Sequence, residues 1–179
     1  MHLTDDEIRL IAEWEPIQEG FGRDDDRTGV RIRDIADQIN SSGDFGCEIL
    51  ADDGLSNYFE LFAFNVADAP PQDGLRRVDG LLVYLSACAP VGVVGRSQKC
   101  IGAEFSSRGP LEIDKLIYPD HLCDPLEQKV FEAIRFGGYQ LLSVEEISRP
   151  LPPGVEPYEY CFSSEPWDRV FHALFGNTD

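Results

Sequence analysis

Positive charge is scarce in this chain: 15 Lys and Arg stand against 33 Asp and Glu in 179 residues, a formal charge of −18. A surface of that sign repels phosphate backbones, so nucleic acid is not an expected partner. The imbalance is steepest in the first half, where residues 1–90 carry 7 basic and 19 acidic groups against 8 and 14 in residues 91–179. Such a field steers toward a basic protein partner, and it also keeps a protein soluble.

Long apolar runs are scarce as well. The longest uncharged stretch is Gly80 to Gly95, GLLVYLSACAPVGVVG, sixteen residues interrupted by Pro90. It falls short of the ~20 residues that span a bilayer, so no membrane association is expected. The start, MHLTDDEIRL, is acidic where a secretion signal would be basic and then apolar, which predicts an intracellular, cytoplasmic protein. The five cysteines (Cys47, Cys88, Cys100, Cys123, Cys161) are odd in number, widely spaced and without a CxxC pair. They fit reduced thiols rather than a disulfide framework.

Catalytic and cofactor motifs are missing too. There is no HExxH, GxxxxGK[ST] or GxSxG, and Gly92-Val93-Val94-Gly95 is too short and too apolar for a dinucleotide fingerprint. No cofactor is predicted. Asp24-Asp25-Asp26-Arg27-Thr28-Gly29 begins like a calcium loop, but Ile35 stands where a bidentate glutamate is needed, so no metal site is assigned. Of the three histidines, His2 is terminal and expected to be disordered, and His172 lies beside the apolar stripe of a C-terminal helix, a structural position. His121 is the remaining one. Asp120-His121-Leu122-Cys123-Asp124 sets an imidazole and a thiol just before a helix N-terminus, which lowers a thiol's pKa. His121 and Cys123 are therefore the weak catalytic candidates; residues two apart need not meet, and Asp124 is already explained as an N-cap.

What is present describes a fold. Leu81, Val83 and Leu85 point to one face of an extended chain and Leu82, Tyr84 and Ser86 to the other, so both faces are apolar and the strand belongs inside a sheet. Pro90 marks a turn or bend, leaving Val91 to Val94 as a further strand or an extension of the first. Cys47 to Asp52 and Leu55 to Val66, joined by Asp53-Gly54, read as a β-hairpin. Glu60 sits among Tyr58, Phe62 and Phe64; an edge or solvent-facing position is the expectation, and burial would make it a functional candidate. Ile101 to Phe105 adds one more strand, Pro110 to Pro119 is an edge strand or an ordered loop, and Tyr139 to Leu142 and Pro157 to Phe162 are short strands.

Helices are marked by their caps. Thr4 with Glu7 forms a capping box before the stripe Ile8, Ile11, Ala12, ending by Pro16. Val30, Ile35, Ala36 and Ile39 share a face of a second helix stopping at Asn40-Ser41-Ser42-Gly43. Asp124, Pro125 and Glu127 open a third, over Leu126 to Phe136, with Leu126, Val130, Ala133 and Ile134 inward and a stop at Gly137-Gly138. Ser143 with Glu146 caps a single turn, and Ser164 opens a last helix that buries Trp167, Val170, Phe171 and Leu174 and stops at Gly176.

The prediction is a single α+β domain over residues 1–179, with a mainly antiparallel sheet of about five or six strands and flanking N- and C-terminal helices. Its expected function is that of a non-enzymatic acidic binding protein, an immunity-type inhibitor masking a basic partner, with Asp5, Asp6, Asp24, Asp25 and Asp26 as contact residues. The alternative is a small-molecule-binding domain or enzyme with a pocket near Cys123 and His121.

Overall fold

The computed structural model describes residues 2–50, 56–69, 76–101, 106–108, 111–119, 123–157 and 166–175. The architecture is the α+β one that the patterning predicts. Five strands run in sequence order as an antiparallel meander: β1 (Phe45–Ile49), β2 (Tyr58–Asn65), β3 (Arg76–Ser86), β4 (Val91–Ile101) and β5 (Ser106–Arg108). Two short strands extend it along β4: β6 (Leu116–Ile117) antiparallel and β7 (Gln140–Leu141) parallel.

The apolar run is thereby two strands, not one bent strand. β3 and β4 pair from Arg76↔Ile101 to Leu85↔Gly92, with Pro90 in the turn between them. Leu81 to Ala89 and Val91 to Val94 are all buried, as a strand covered on both faces must be. Strand register sorts the side chains into two layers. Ile49, Leu61, Val83 and Val94 share one face, and Tyr58, Glu60, Phe62, Leu82 and Tyr84 the other. Gly95 is where β6 closes in, since a Cβ there would stand 2.9 Å from the Lys115 carbonyl oxygen.

Helices cover both layers. α1 (Asp5–Ala12) starts at the predicted Thr4–Glu7 capping box and buries Ile8, Ile11 and Ala12. Trp14, beyond its end, holds a left-handed φ of 65° and packs on the core. α2 (Asp26–Asn40) is capped by Asp25 and buries Thr28, Ile32, Ile35, Ala36 and Ile39. The predicted inward Val30 is instead 46% exposed, because the helix phase set by Ile35 and Ile39 continues back to Ile32 and Thr28, turning residue 30 to the opposite side. α3 (Pro125–Phe136) shows the predicted cap, N1 proline and capping-box glutamate. α4 (Val144–Ile147) is the turn capped by Ser143.

The last helix, α5, is shorter than predicted. It covers only Val170–Leu174, since Arg169 is held extended by a bridge to Pro150 and Trp167 precedes the helix. The Asp53-Gly54 turn, residues 102–105 of the Ile101–Phe105 strand, residues 158–162, Ser164 and Gly176 lie outside the described residues. Within Pro110 to Pro119, residues 113–115 form a 3₁₀ turn leading into β6.

α5 lies on the Tyr58 and Tyr84 face, where Phe175 stands 5.8 Å from each ring, and α1 packs against it. Asn57 ties the two together, its side chain donating to the carbonyls of Ile11 and Ala173. α2 and α3 take the other face, where Glu127 of α3 meets Arg96 of β4 and Ile32 borders the same groove as Ile49 and Phe59. Among the described residues no helix is long and apolar enough to cross a membrane.

Candidate functional site

The acidic contact residues fall at two places. Asp5 and Asp6 occupy the first turn of α1, where they favour the helix dipole, and Asp6 pairs with Arg9 at 2.7 Å. Asp24, Asp25 and Asp26 lead into α2 on the opposite face of the sheet. The connecting loop crosses the sheet at the β3–β4 turn, held by Ile17 N–H on the Cys88 carbonyl (3.0 Å) and Gly22 N–H on the Ala87 carbonyl (2.7 Å).

Arginines of the loop and of the start of α2 hold it in place. Arg31 lies 4.4 Å over the Phe21 ring and donates to the Gly20 carbonyl. Arg23 reaches the Tyr58 carbonyl and sits 5.6 Å from the Phe59 ring. Arg27 clasps Asp25 through Nε and Nη2, and this hydrogen bonding holds the Asp25 carboxyl down at about 2. Asp25 is thus a cap and an ion-pair partner, whereas Asp24 and Asp26 are exposed. Since α2 begins at Asp26 and the Thr28 hydroxyl donates to the Gly20 carbonyl, the residues read as a calcium loop stand at a helix start. No group of three or more metal-ligating side chains occurs among the described residues.

Of the weak catalytic pair, Cys123 is partly buried against the core and His121 lies outside the described residues. Two other thiols are inert: burial pushes Cys47 up to about 12 and Cys88 up to about 11, so neither is a thiolate at neutral pH. His172 is 8% exposed and accepts from the Arg169 N–H, a structural role as expected. His2 corrects the expectation of a disordered terminus. Its Nδ1 lies 2.9 Å from Glu146, which also accepts from the Leu3 N–H. Burial opposes ionisation of Glu146, yet His2, Leu3 and Arg149 outweigh it and hold the carboxyl below its ordinary value. Glu60, expected at an edge or in solvent, is only 9% exposed, because β2 is an inner strand.

One concavity was not apparent from the sequence. A cleft of about 650 Å³ lies beside α3 on the α2–α3 face, and its charged lining among the described residues is Arg77, Asp79, Arg96, Lys115, Asp68 and Asp124. Arg77 and Asp79 alternate with buried Val78, which was the available signal that they share a face. Arg96 is fixed there by fully buried Glu127, through Nη2 at 2.7 Å and Nε at 3.1 Å. Asp124 borders the cleft, while Cys123 does not. In comparison with known proteins the chain matches no family model, and no curated sequence and no solved structure is significantly similar to it.

Proposed function

We propose that this is a non-enzymatic acidic binding protein, an immunity-type inhibitor that masks a basic site on a protein partner. The observation that carries it is the disposition of charge over residues 1–44, which hold twelve acidic and five basic groups. Acidic groups outnumber basic ones more than two to one there, and Asp24 and Asp26 are exposed, while Arg27 is paired with Asp25 and Glu19, so the net field of this region is negative. Among the described thiols Cys47, Cys88 and Cys100 form no disulfide, which supports a reducing, cytoplasmic setting. Nucleic acid is disfavoured by the same field.

The test is co-purification at low and high salt (about 0.01 and 1 M, where the screening length falls from roughly 30 to 3 Å), with wild type and an Asp24→Asn, Asp26→Asn double variant. A basic protein held by wild type at low salt, released at high salt and weakened by the variant is the expected result. No basic protein retained, or retention indifferent to salt, overturns the reading. The second reading, a small-molecule-binding domain or enzyme, is favoured by the 650 Å³ cleft, a volume within the usual range of ligand sites.

A further inference from the structure

Strand register lays a row of charge on the floor of the 650 Å³ cleft. Arg77, Asp79 and Leu81 alternate along β3, so they share one face at steps of about 7 Å. Their cross-strand neighbours on β4 are Cys100, Gln98 and Arg96. Farther along, the same face is apolar and buried at Val83 and Val94, whereas Arg77, Asp79, Gln98 and Arg96 are exposed. One sheet face therefore passes from packed core to an open polar floor.

The charges of that floor do not neutralise one another. Arg96 is bonded to fully buried Glu127. Asp79 accepts from a neutral donor, Gln98 Nε2, at 2.5 Å, and Asp124 accepts from the Glu127 N–H as the cap of α3. Arg77 forms no ion pair with a described residue, although Asp79 is two residues away on its own face. A guanidinium offers five donors in a planar fork and a carboxylate about four acceptor sites. Arg77 and Asp79 thus keep unused bonding capacity of opposite sign side by side.

A simple anion at Arg77 would also meet Asp79, Asp124 and a chain of −18, and a simple cation at Asp79 would meet Arg77 and Arg96. A molecule that carries both charges suits both groups. We propose that the cleft binds a small zwitterion of the amino-acid type, with its carboxylate on the Arg77 fork and its ammonium on Asp79. Leu81 and Leu126 form the apolar lining for its carbon skeleton. This inference rests on the second reading above, that the cleft is a ligand site.

Saturation-transfer NMR on the intact protein tests it, at about pH 6.5, where an α-amino group is charged. Three probe sets are compared at millimolar concentration: the L-amino acids with uncharged side chains, their N-acetyl derivatives, which keep only the carboxylate, and their amides, which keep only the ammonium. At least one free amino acid is expected to bind, and its two single-charge analogues to bind at least about tenfold more weakly, the effect of one charge-assisted hydrogen bond. Arg77→Gln should weaken that amino acid by a similar factor. Arg33→Gln, the same change of charge at an exposed position of α2, should leave its binding unaltered. Analogues that bind as well as the parent, an equal loss in the two variants, or silence from all three sets each overturn the proposal. A general fragment library separates the two failures: fragments that shift the resonances of cleft residues keep the ligand reading and remove only the zwitterion, and no shift there refutes the ligand reading itself.

Discussion

Cutting Arg96 back to Ala is expected to destabilise the fold more than neutralising its partner by Glu127→Gln, although Arg96 is the exposed member of the pair. The side chain of Arg96 is 66% exposed and that of Glu127 is 0% exposed. Arg96→Ala removes two charge-assisted hydrogen bonds and the Arg96 cation from a fully buried carboxylate, which keeps the Asp124 N–H at 3.1 Å. Removing one partner of a buried ion pair costs about 3–5 kcal/mol; because water can enter where the Arg96 head was, the low end, about 3 kcal/mol, applies here. Glu127→Gln keeps one acceptor oxygen for Arg96 but turns its NH2 toward the Asp124 N–H, and that lost capping bond, beside a guanidinium that solvent can satisfy, costs about 1–2 kcal/mol. For a chain of this size about 3 kcal/mol lowers Tm by roughly 6–12 °C. Urea unfolding followed by circular dichroism, with the double variant to close the cycle, measures both costs. An Arg96→Ala midpoint near wild type, or a larger loss for Glu127→Gln, would refute the argument.

Val83→Asp, at 1% exposure between Leu61 and Val94, places an unpaired charge in the middle of the sheet and should leave no cooperative thermal transition; a melt near that of wild type sinks the organising role of the β3–β4 pair. His172 gives a pH signature: burial foremost, with Arg169 adding to it and Asp168 opposing, depresses its pKa below 6.5. The unfolded chain then takes up the proton first, so the contribution is present above about pH 6.5 and is lost as pH falls through the folded value. Urea midpoints in that window should drop for wild type and be flatter for His172→Gln, and identical slopes would show that His172 is not the group responsible.

Local signals were readable because their partners lie within one helical turn. Thr4 with Glu7, Asp124 with Glu127 and Ser143 with Glu146 are each three residues apart, and all three caps form. The phase of α2 was readable in its second half, but its start was not, because the capping role of Asp25 was obscured by three consecutive aspartates. Asp25 is consequently a poor choice for probing binding alone, since removing it uncaps α2; Asp24 and Asp26 serve that purpose.

The sequence by itself determined the acidic character, the absence of a catalytic signature and a buried extended core at residues 80–95, since these depend only on composition and period. Tertiary structure decided how that core folds back on itself and which face each helix covers. It decided, too, that Glu60 is buried, that Arg96 and Glu127 meet across 31 positions, and that Asn40 lies against the edge of β1. Those outcomes depend on strand register and on which long side chains turn inward, and neither is encoded in the spacing of neighbouring residues. The same holds for the acidic surface: composition supplied the carboxylates, and only the fold decided that Arg27 pairs with Asp25 and Glu19 while Asp24 and Asp26 stay exposed.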